Sequence, residues 1–225
     1  MKALIFAAGR GERMRPLTEH TPKPLLVVGG KPLIVWHIEK LAACGVGEIV
    51  INTSWLAEQF PDRLGDGRRF GLRLSYSYEG PEPLETGGGI QHALPLLGDQ
   101  PFIVVNGDIW TDYDFARLPA EPPGLAHVLL VPLPAYRPLG AFERAVAPLL
   151  PDAAGRHHTL AGIGVFRPKL LAGHPPGKFS ITPLLTAAAE HGQLSVARLD
   201  AAWEDVGTPQ RLRALDARLR KETKS

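Results

Sequence analysis

The N-terminal region places a glycine-rich turn directly after a run of apolar residues that predicts a strand over residues 2–8. The turn reads Gly9-Arg-Gly-Glu-Arg-Met-Arg15, and Thr21-Pro-Lys-Pro-Leu25 follows it. Because glycine has no side chain to hold a ligand off, such a turn brings backbone N–H groups within hydrogen-bonding distance of an anion. Four cationic residues lie in or near the same turn: Arg10, Arg13, Arg15 and Lys23. The pattern therefore predicts a site for a phosphate-bearing ligand.

Two common phosphate loops do not fit this turn. A P-loop needs four residues between its glycines and then Lys-Ser or Lys-Thr, which the chain does not supply. The dinucleotide fingerprint needs a third glycine at the position of Met14, where it would let the helix pack closely on the strand. A Rossmann dehydrogenase is therefore not expected.

Strands and helices alternate through the first half of the chain, which predicts a parallel sheet with helices on its faces. The expected strands are 2–8, 47–52, 72–78 and 101–106, and the expected helices are near 31–45, 55–64 and 87–97. In open sheets of this kind, ligands bind beyond the carboxyl ends of the strands, where the glycine turn and Asp108 both fall. After Asp108, prolines interrupt the chain and leave strands at 125–131 and 160–166 and helices near 180–191 and 208–221.

Composition limits the class of protein. The chain has 225 residues, 44% of them hydrophobic, so it can bury a full core. The net charge is +2 with acids and bases mixed, without the basic stripe that nucleic-acid binding needs. A single cysteine, Cys44, excludes an internal disulfide. No apolar run reaches the ~20 residues of a membrane span, and the first residues form a core strand rather than a signal segment, so we expect a cytoplasmic protein.

The glycine turn and three later segments resemble the motifs of a known enzyme family. The matching segments are Gly9-x-Gly-x-Arg-Met-x-Pro-Leu-Thr with Pro22-Lys-Pro-Leu, then Pro83-Leu-Glu-Thr-Gly-Gly-Gly89, Val105-Asn-Gly-Asp108 and Trp203-Glu-Asp-Val-Gly-Thr-Pro209. Together they resemble the sugar-1-phosphate nucleotidyltransferases over nearly the whole chain. The resemblance implies a Rossmann-like α/β fold of the GT-A-like type, with a mixed, mostly parallel sheet, helices on both faces and a small sugar-binding lobe.

The resemblance also implies a reaction and a division of the chain. In this family a sugar-1-phosphate attacks the α-phosphorus of a nucleoside triphosphate, which releases pyrophosphate and a nucleotide-sugar. We expect a single nucleotidyltransferase domain over residues 1–225. Within it, residues 1–115 would form mainly the nucleotide-binding part, residues 116–207 the sugar-binding part and residues 208–225 a C-terminal helix.

Such a reaction needs alignment and charge neutralisation rather than a general base, because the sugar phosphate already supplies an oxyanion. The implied cofactor is Mg²⁺, which takes oxygen ligands from one or two carboxylates and from substrate phosphates. Asp108 directly follows a core strand and is the expected first ligand. The resemblance carries a second metal-binding aspartate onto Asp205, with Glu204 as the alternative.

The phosphate contacts follow from the same resemblance. In the family, the signature arginine contacts the β- and γ-phosphates and the lysine of Pro-Lys-Pro contacts the α-phosphate, and we match these to Arg15 and Lys23. The expected catalytic residues are therefore Arg15, Lys23 and Asp108. The expected nucleotide-binding residues are Ala8, Gly9, Gly11, Glu12, Arg13, Lys23, Glu79 and Gly87.

Glu79 is expected to recognise the base, because an ionised carboxylate only accepts hydrogen bonds and suits the N3–H of uracil or thymine, or the N1–H of guanine. A surface glutamate in a polar turn is the alternative. Gly87, with Gly88 and Gly89, would let base and sugar approach the backbone. The expected sugar-binding residues are Asn106 at a strand end, Gly162, which resembles a second glycine contact of the family, and Trp110, which would stack on the sugar or belong to the core.

Within the family, Glu85-Thr-Gly-Gly-Gly89 and Trp110-Thr-Asp-Tyr-Asp-Phe115 look most like N-acetylmuramate-1-phosphate uridylyltransferases, which serve cell-wall recycling. The expected partners are UTP and N-acetylmuramate 1-phosphate, with no nucleic acid and no membrane. Ala141 and Ser180 depart from the pattern, which often has aspartate and lysine there. The alternatives are a mannose-1-phosphate guanylyltransferase, a glucose-1-phosphate thymidylyl- or uridylyltransferase, and a catalytically silent nucleotide-sugar sensor.

Overall fold

The computed structural model describes residues 1–222 of the chain. Its strands are β1 (Lys2–Phe6), β2 (Val27–Val28), β3 (Lys31–Pro32), β4 (Glu48–Thr53), β5 (Arg73–Tyr78), β6 (Phe102–Asn106), β7 (Ile109–Thr111), β8 (Ala126–Pro132), β9 (His158–Phe166), β10 (Leu194–Arg198) and β11 (Trp203–Asp205). Its α-helices are α1 (Leu33–Ala43), α2 (Gln59–Leu64), α3 (Glu85–Leu97), α4 (Ala141–Val146), α5 (Thr182–Glu190) and α6 (Pro209–Glu222).

Seven strands form one mixed sheet in the order β10-β8-β9-β6-β1-β4-β5. The four strands β6, β1, β4 and β5 are mutually parallel, which confirms the expected parallel half. Phe6 at the end of β1 lies opposite both Asn52 and Asn106, so the carboxyl ends of these strands form one edge. The other half is mixed, because β9 runs antiparallel to both β6 and β8.

Helices cover both faces of the sheet, as expected. Successive strand residues point to opposite faces, so Ala3 and Ile5 of β1 join one apolar core while Leu4 joins the other. The first core includes Ile34, Ile38 and Leu41 of α1, and the second includes Ile90, Ala93 and Leu97 of α3 and Leu185 of α5. Burying such a side chain contributes about 1.5–3 kcal/mol, which fixes the sheet as a rigid support for the loops at its edge.

A third apolar core lies beside the sheet, under α6. It contains Met14, Trp110, Val206, Leu212 and Leu215. Thr208 caps the N-terminus of α6, because its Oγ1 accepts a hydrogen bond from the backbone N–H of Arg211 at 3.3 Å. This core attaches the C-terminal helix to the segment that follows the glycine turn.

Several short elements carry no strong signal in the sequence. Helix α4 and strands β7, β10 and β11 were not predicted, and α1 begins at Leu33 because Pro32 keeps an extended backbone at ψ 142°. Within residues 1–222, none of the helices combines the length and apolar character that crossing a membrane requires.

Candidate active site

A cavity of about 860 Å³ opens at the edge formed by the carboxyl ends of the parallel strands. Its wall is made by Phe6, Ala7, Ala8, Gly9, Arg10, Gly11, Glu12, Arg13, Met14, Lys23, Pro24, Asn52, Glu79, Glu82, Pro83, Glu85, Thr86, Asn106, Asp108, Lys178 and Gly207. The structure therefore brings together the glycine turn, Lys23, Glu79, Asn106 and Asp108, as the sequence predicts. This position matches the place where open α/β sheets bind ligands.

The glycine turn is shaped by Gly11, which has a left-handed backbone with φ +63°. A Cβ atom added there would lie 2.9 Å from Thr18 Cγ2, so only glycine fits. The Gly11 carbonyl accepts hydrogen bonds from the Met14 N–H and the Thr18 hydroxyl, both at 2.8 Å. At Gly9 a Cβ would meet nothing within 4 Å, so the backbone there is open to a ligand.

The structure separates the two arginines that follow this turn. Residues Glu12–Met14 form one turn of 3₁₀ helix, which turns Met14 into the third core and leaves Arg13 on the cavity wall. Arg15 lies just after that turn, is exposed, and does not belong to the wall. Both arginines are exposed, and of the two it is Arg13 that lies on the cavity wall, while the catalytic role of Arg15 stays a prediction.

Lys23 is buried, with only 7% of its surface exposed, and its Nζ donates to Asp108 Oδ2 at 2.8 Å. Asp108 reaches this position because Gly107 packs against β1, with its N–H donating to the Phe6 carbonyl at 2.9 Å. A Cβ on Gly107 would lie 2.6 Å from that oxygen, so the tight approach requires glycine. The Asp108 side chain remains 40% exposed and faces the cavity beside the lysine.

Asp205 is brought to Asp108 by the pairing of β11 with β7. Asp205 lies opposite Ile109, and the Val206 N–H donates to the Asp108 carbonyl at 3.0 Å. The Asp205 carboxylate accepts from Arg211 Nη1 at 3.2 Å. Glu204 alternates with Asp205 along the strand and lies 3.6 Å from Arg218 instead.

The backbones of the two aspartates are neighbours at one end of the cavity, where Asp108 lies on the wall and Asp205 does not, and both side chains offer oxygen ligands only. Within residues 1–222, three or more histidine, cysteine or acidic side chains never come close enough to hold a metal by themselves. The arrangement therefore fits a hard cation that takes its remaining ligands from a phosphate or water.

Glu79 is buried rather than a surface residue. Its Oε1 accepts from Asn52 Nδ2 at 2.5 Å, and its Oε2 accepts from the Leu84 N–H at 2.7 Å. Asn52 Oδ1 in turn accepts from the Ala7 N–H at 2.7 Å. Burial raises the pKa of the Glu79 carboxyl, while the two hydrogen bonds oppose that shift. These contacts tie the ends of β1, β4 and β5 together, and sequence reasoning missed Asn52, which carries no motif.

The three glycines at the start of α3 have a different role from the one predicted. Gly87 does not belong to the cavity wall, because a Cβ there would lie 2.3 Å from the Phe179 ring. At Gly88 a Cβ would lie 2.2 Å from the Gly177 carbonyl, and both glycine N–H groups donate to the Phe179 carbonyl. The glycines accommodate residues 177–181, and the nucleotide contact of Gly87 stays a prediction for a residue that lies off the cavity wall.

Two of the predicted sugar-binding residues also lie off the cavity wall. Gly162 has φ +78°, and a Cβ there would lie 2.7 Å from Asn106 Nδ2, so its role is to make room for Asn106. Trp110 is 5% exposed and packs in the third core, with its ring edge-on to Trp36 at 6.2 Å. Of the two roles considered for Trp110, the structure shows the core position, because the side chain of this β7 residue packs in the third core rather than on the cavity wall.

Besides Asn52, four polar or charged wall residues were not among the predicted site residues. Glu82, Glu85 and Thr86 come from the turn and first residues of α3, and Lys178 comes from the segment that packs on the α3 glycines. Glu85 has a left-handed backbone with φ +62°, which is rare for a residue other than glycine. A sequence offers no signal for Lys178, because a lysine in a loop is usually a solvated side chain.

Taken together, a glycine turn, a buried lysine and two carboxylates beyond the strand ends define an α/β protein that handles nucleoside phosphates. Residues 2–121 match the family described as nucleotidyl transferase. The chain belongs to the nucleotidyl transferase family.

Two relatives match this chain over nearly their whole length, and a third matches over part of its length. N-acetylmuramate alpha-1-phosphate uridylyltransferase of Neisseria meningitidis is 46% identical over 96% of this chain and 97% of that protein. The Caulobacter vibrioides protein of the same name is 36% identical, over 96% of each. The mannose-1-phosphate guanylyltransferase catalytic subunit beta of Dictyostelium discoideum is 33% identical over 93% of this chain but 62% of its own length.

A solved structure supports the fold alone. The crystal structure of a Bacillus anthracis protein assigned as a glucose-1-phosphate thymidylyltransferase superposes with a TM-score of 0.81. The match covers 98% of this chain and 95% of that one at 23% identity. The predicted Rossmann-like nucleotidyltransferase fold is confirmed.

Proposed function

We propose that this enzyme transfers UMP from UTP to N-acetylmuramate α-1-phosphate, which gives UDP-N-acetylmuramate and pyrophosphate. The observation that carries the transfer chemistry is the buried Lys23 paired with Asp108 beside the glycine turn. The choice of sugar and base is supported by the uridylyltransferases, which match along their whole length, whereas the guanylyltransferase is covered over 62%. The reaction would serve cell-wall recycling in the cytoplasm.

The chemical step needs no proton acceptor from the protein. An oxygen of the sugar phosphate forms a bond to the α-phosphorus while the bond from that phosphorus to the β-phosphate oxygen breaks, and pyrophosphate leaves. Lys23 neutralises charge at the α-phosphate, and the open backbone at Gly9 lets the phosphates approach. We give Arg13 the contact with the leaving pyrophosphate, because Arg13 lies on the cavity wall.

The charges of the wall argue for a bound cation. Four basic side chains line the cavity, against five carboxylates, so the wall offers no surplus positive charge to two polyanionic substrates. Mg²⁺ held by Asp108 and Asp205 would supply the missing charge and polarise the phosphoryl oxygens. Before a cation binds, Lys23 pairs with the Asp108 carboxylate and Arg211 pairs with the Asp205 carboxylate.

The recognition of the uracil is proposed to involve Glu79. Both of its oxygens already accept one hydrogen bond, and each has a further lone pair that can accept the N3–H of uracil. Asn106 lies at the strand end beside Asp108 and offers both a donor and an acceptor to the sugar. Lys178 lies on the same wall as an additional cation for the sugar phosphate.

A pyrophosphate-release assay tests this function. UTP, dTTP, GTP and CTP are each combined with the 1-phosphates of N-acetylmuramate, N-acetylglucosamine, mannose and glucose. We expect the highest kcat/KM for UTP with N-acetylmuramate 1-phosphate. A preference for GTP with mannose 1-phosphate would replace the proposal by the guanylyltransferase, and no release with any pair would favour a nucleotide-sugar sensor.

A further inference from the structure

Arg211, near the start of α6, contacts two parts of the molecule that no sequence motif connects. Its Nη1 donates to the main-chain carbonyl and to Oδ2 of Asp205, both at 3.2 Å. Its Nη2 donates to the hydroxyl of Tyr136 at 3.2 Å, and the guanidinium lies 5.7 Å from the centre of the tyrosine ring. One planar group thus holds a carboxylate on one side and a phenol on the other.

We propose that Arg211 is a positioning residue that orients Asp205 for the divalent cation and fastens the loop of residues 133–140 to the same end of the cavity. The proposal rests on the proposed function, since it assumes that Asp205 holds the cation. Arginine suits this task because its rigid fork donates in fixed directions, whereas lysine offers a single point charge.

The carboxylate side of the contact leaves one oxygen available. Arg211 donates to Oδ2 of Asp205, and a Cβ added at Gly207 would lie 3.1 Å from Oδ1 and 3.4 Å from Oδ2. Gly207 belongs to the cavity wall. A guanidinium that fixes one carboxylate oxygen in this way restricts the direction of the other, and loss of such a partner costs about 10–100-fold in metal affinity or activity.

The loop side of the contact is otherwise weakly attached to this end of the molecule. Tyr136 is 65% exposed, and within the described chain the other hydrogen bonds of its loop run inside the loop, to α4 or to His157, which directly precedes β9. Those bonds run from the Leu133 N–H to the His157 carbonyl, from the Gly140 N–H to Glu143, and from Arg144 to the Leu139 carbonyl. The Tyr136–Arg211 bond is therefore the hydrogen bond that joins the loop to the cation end of the cavity.

The test uses the full chain with Arg211→Ala, Arg211→Lys and Tyr136→Phe, and Arg213→Ala as a matched control on the exposed side of the same helix. Water-proton relaxation with Mn²⁺ and α,β-methylene-UTP gives the cation dissociation constant without turnover. We expect Arg211→Ala to raise this constant about 10–100-fold. Arg211→Lys should restore only a small part of the loss, because lysine keeps a positive charge beside Asp205 but not the fixed donor directions of the guanidinium.

Steady-state kinetics then separate the two contacts. Tyr136→Phe should leave the Mn²⁺ constant unchanged and raise the KM for the sugar phosphate several-fold, with the KM for UTP unaffected. Arg213→Ala should change neither. Tighter Mn²⁺ binding in Arg211→Ala would mean that the arginine competes with the cation, which would overturn the proposal. Equal effects of Arg211→Ala and Arg213→Ala on the Mn²⁺ dissociation constant would overturn it as well. If the wild type transfers UMP to no sugar phosphate, the proposed function fails while the Mn²⁺ measurement still decides the role of Arg211.

Discussion

Lys23 and Asp108 form an ion pair that the substrates must reorganise. At the residue scale, only 7% of Lys23 is exposed, and the carboxylate of Asp108 that pairs with it lies 2.8 Å away. In the proposed function, the α-phosphate would replace Asp108 as the partner of Lys23, and a cation would replace Lys23 as the partner of Asp108. The charges that would stabilise the reacting phosphates are thus already in position before any ligand binds, which is the arrangement that favours electrostatic catalysis.

The neighbouring arginines give a matched pair of variants. Arg13→Ala should lower kcat about 10²–10³-fold, because a preorganised cation at a phosphate is lost. Arg15→Ala should stay within about threefold of the wild type, since its side chain is exposed and outside the wall. Circular dichroism spectra would verify that both variants fold. The reverse order of effects would restore the role first predicted for Arg15.

Asp108→Asn and Asp205→Asn should each abolish the Mg²⁺-dependent reaction, because an amide keeps the shape but removes the charge that binds the cation. The double variant should be hardly slower than either single variant, since residues that serve one ion act as a unit. Rates measured across a Mg²⁺ titration provide the test. Full activity in Asp205→Asn would transfer the second ligand to water.

At the element scale, two contacts between helices and the sheet edge hold the site in place. His37 on α1 lies 2.8 Å from the Ile109 carbonyl at the start of β7, one residue after Asp108. The α3 glycines hold residues 177–181 through two hydrogen bonds to the Phe179 carbonyl. A residue of α1 thus holds the start of β7 next to Asp108, and residues of α3 hold the segment that carries Lys178. Asp108 and Lys178 both lie on the cavity wall.

The α1 contact makes stability depend on pH. Burial lowers the pKa of His37 from 6.5 to about 4. Between these two pH values, His37 is therefore mostly neutral in the folded state and mostly protonated in the unfolded chain. Stability is therefore full above pH 6.5 and falls as the pH drops toward 4, by about 2 kcal/mol between pH 6.5 and 5 from this residue. Urea unfolding of His37→Phe should have a flatter pH dependence than the wild type. The exposed His20→Gln variant should keep the wild-type dependence.

The α3 contact gives a second matched pair. Gly88→Ala places a methyl group 2.2 Å from the Gly177 carbonyl, whereas Gly47→Ala places one in open space without a positive φ. Overpacking of this kind costs about 1–3 kcal/mol, so urea unfolding should detect the loss in Gly88→Ala only. Equal stabilities would mean that residues 177–181 do not pack on α3 as described.

At the scale of the whole molecule, the sequence predicted the alternating strands and helices and the local glycine motif. It did not predict the side-chain positions that depend on contacts between distant segments of the chain. The parallel half follows from apolar strands that alternate with helices, and the glycine turn follows from a local motif. Trp110 and Gly87 could not be placed, because their neighbours are Trp36 and Phe179, far away in the sequence. The position of Arg13 rather than Arg15 on the cavity wall could not be predicted, because it depends on the 3₁₀ turn at Glu12–Met14.

The pairing of β7 with β11 has a consequence for protein synthesis. It unites Asp108 with Asp205, which lies nearly a hundred residues later in the chain. A polypeptide still growing on the ribosome therefore presents the glycine turn, Lys23 and Asp108 long before Asp205 and Arg211 have been translated. Nascent chains acquire the phosphate-binding loop first and the complete pair of carboxylates last.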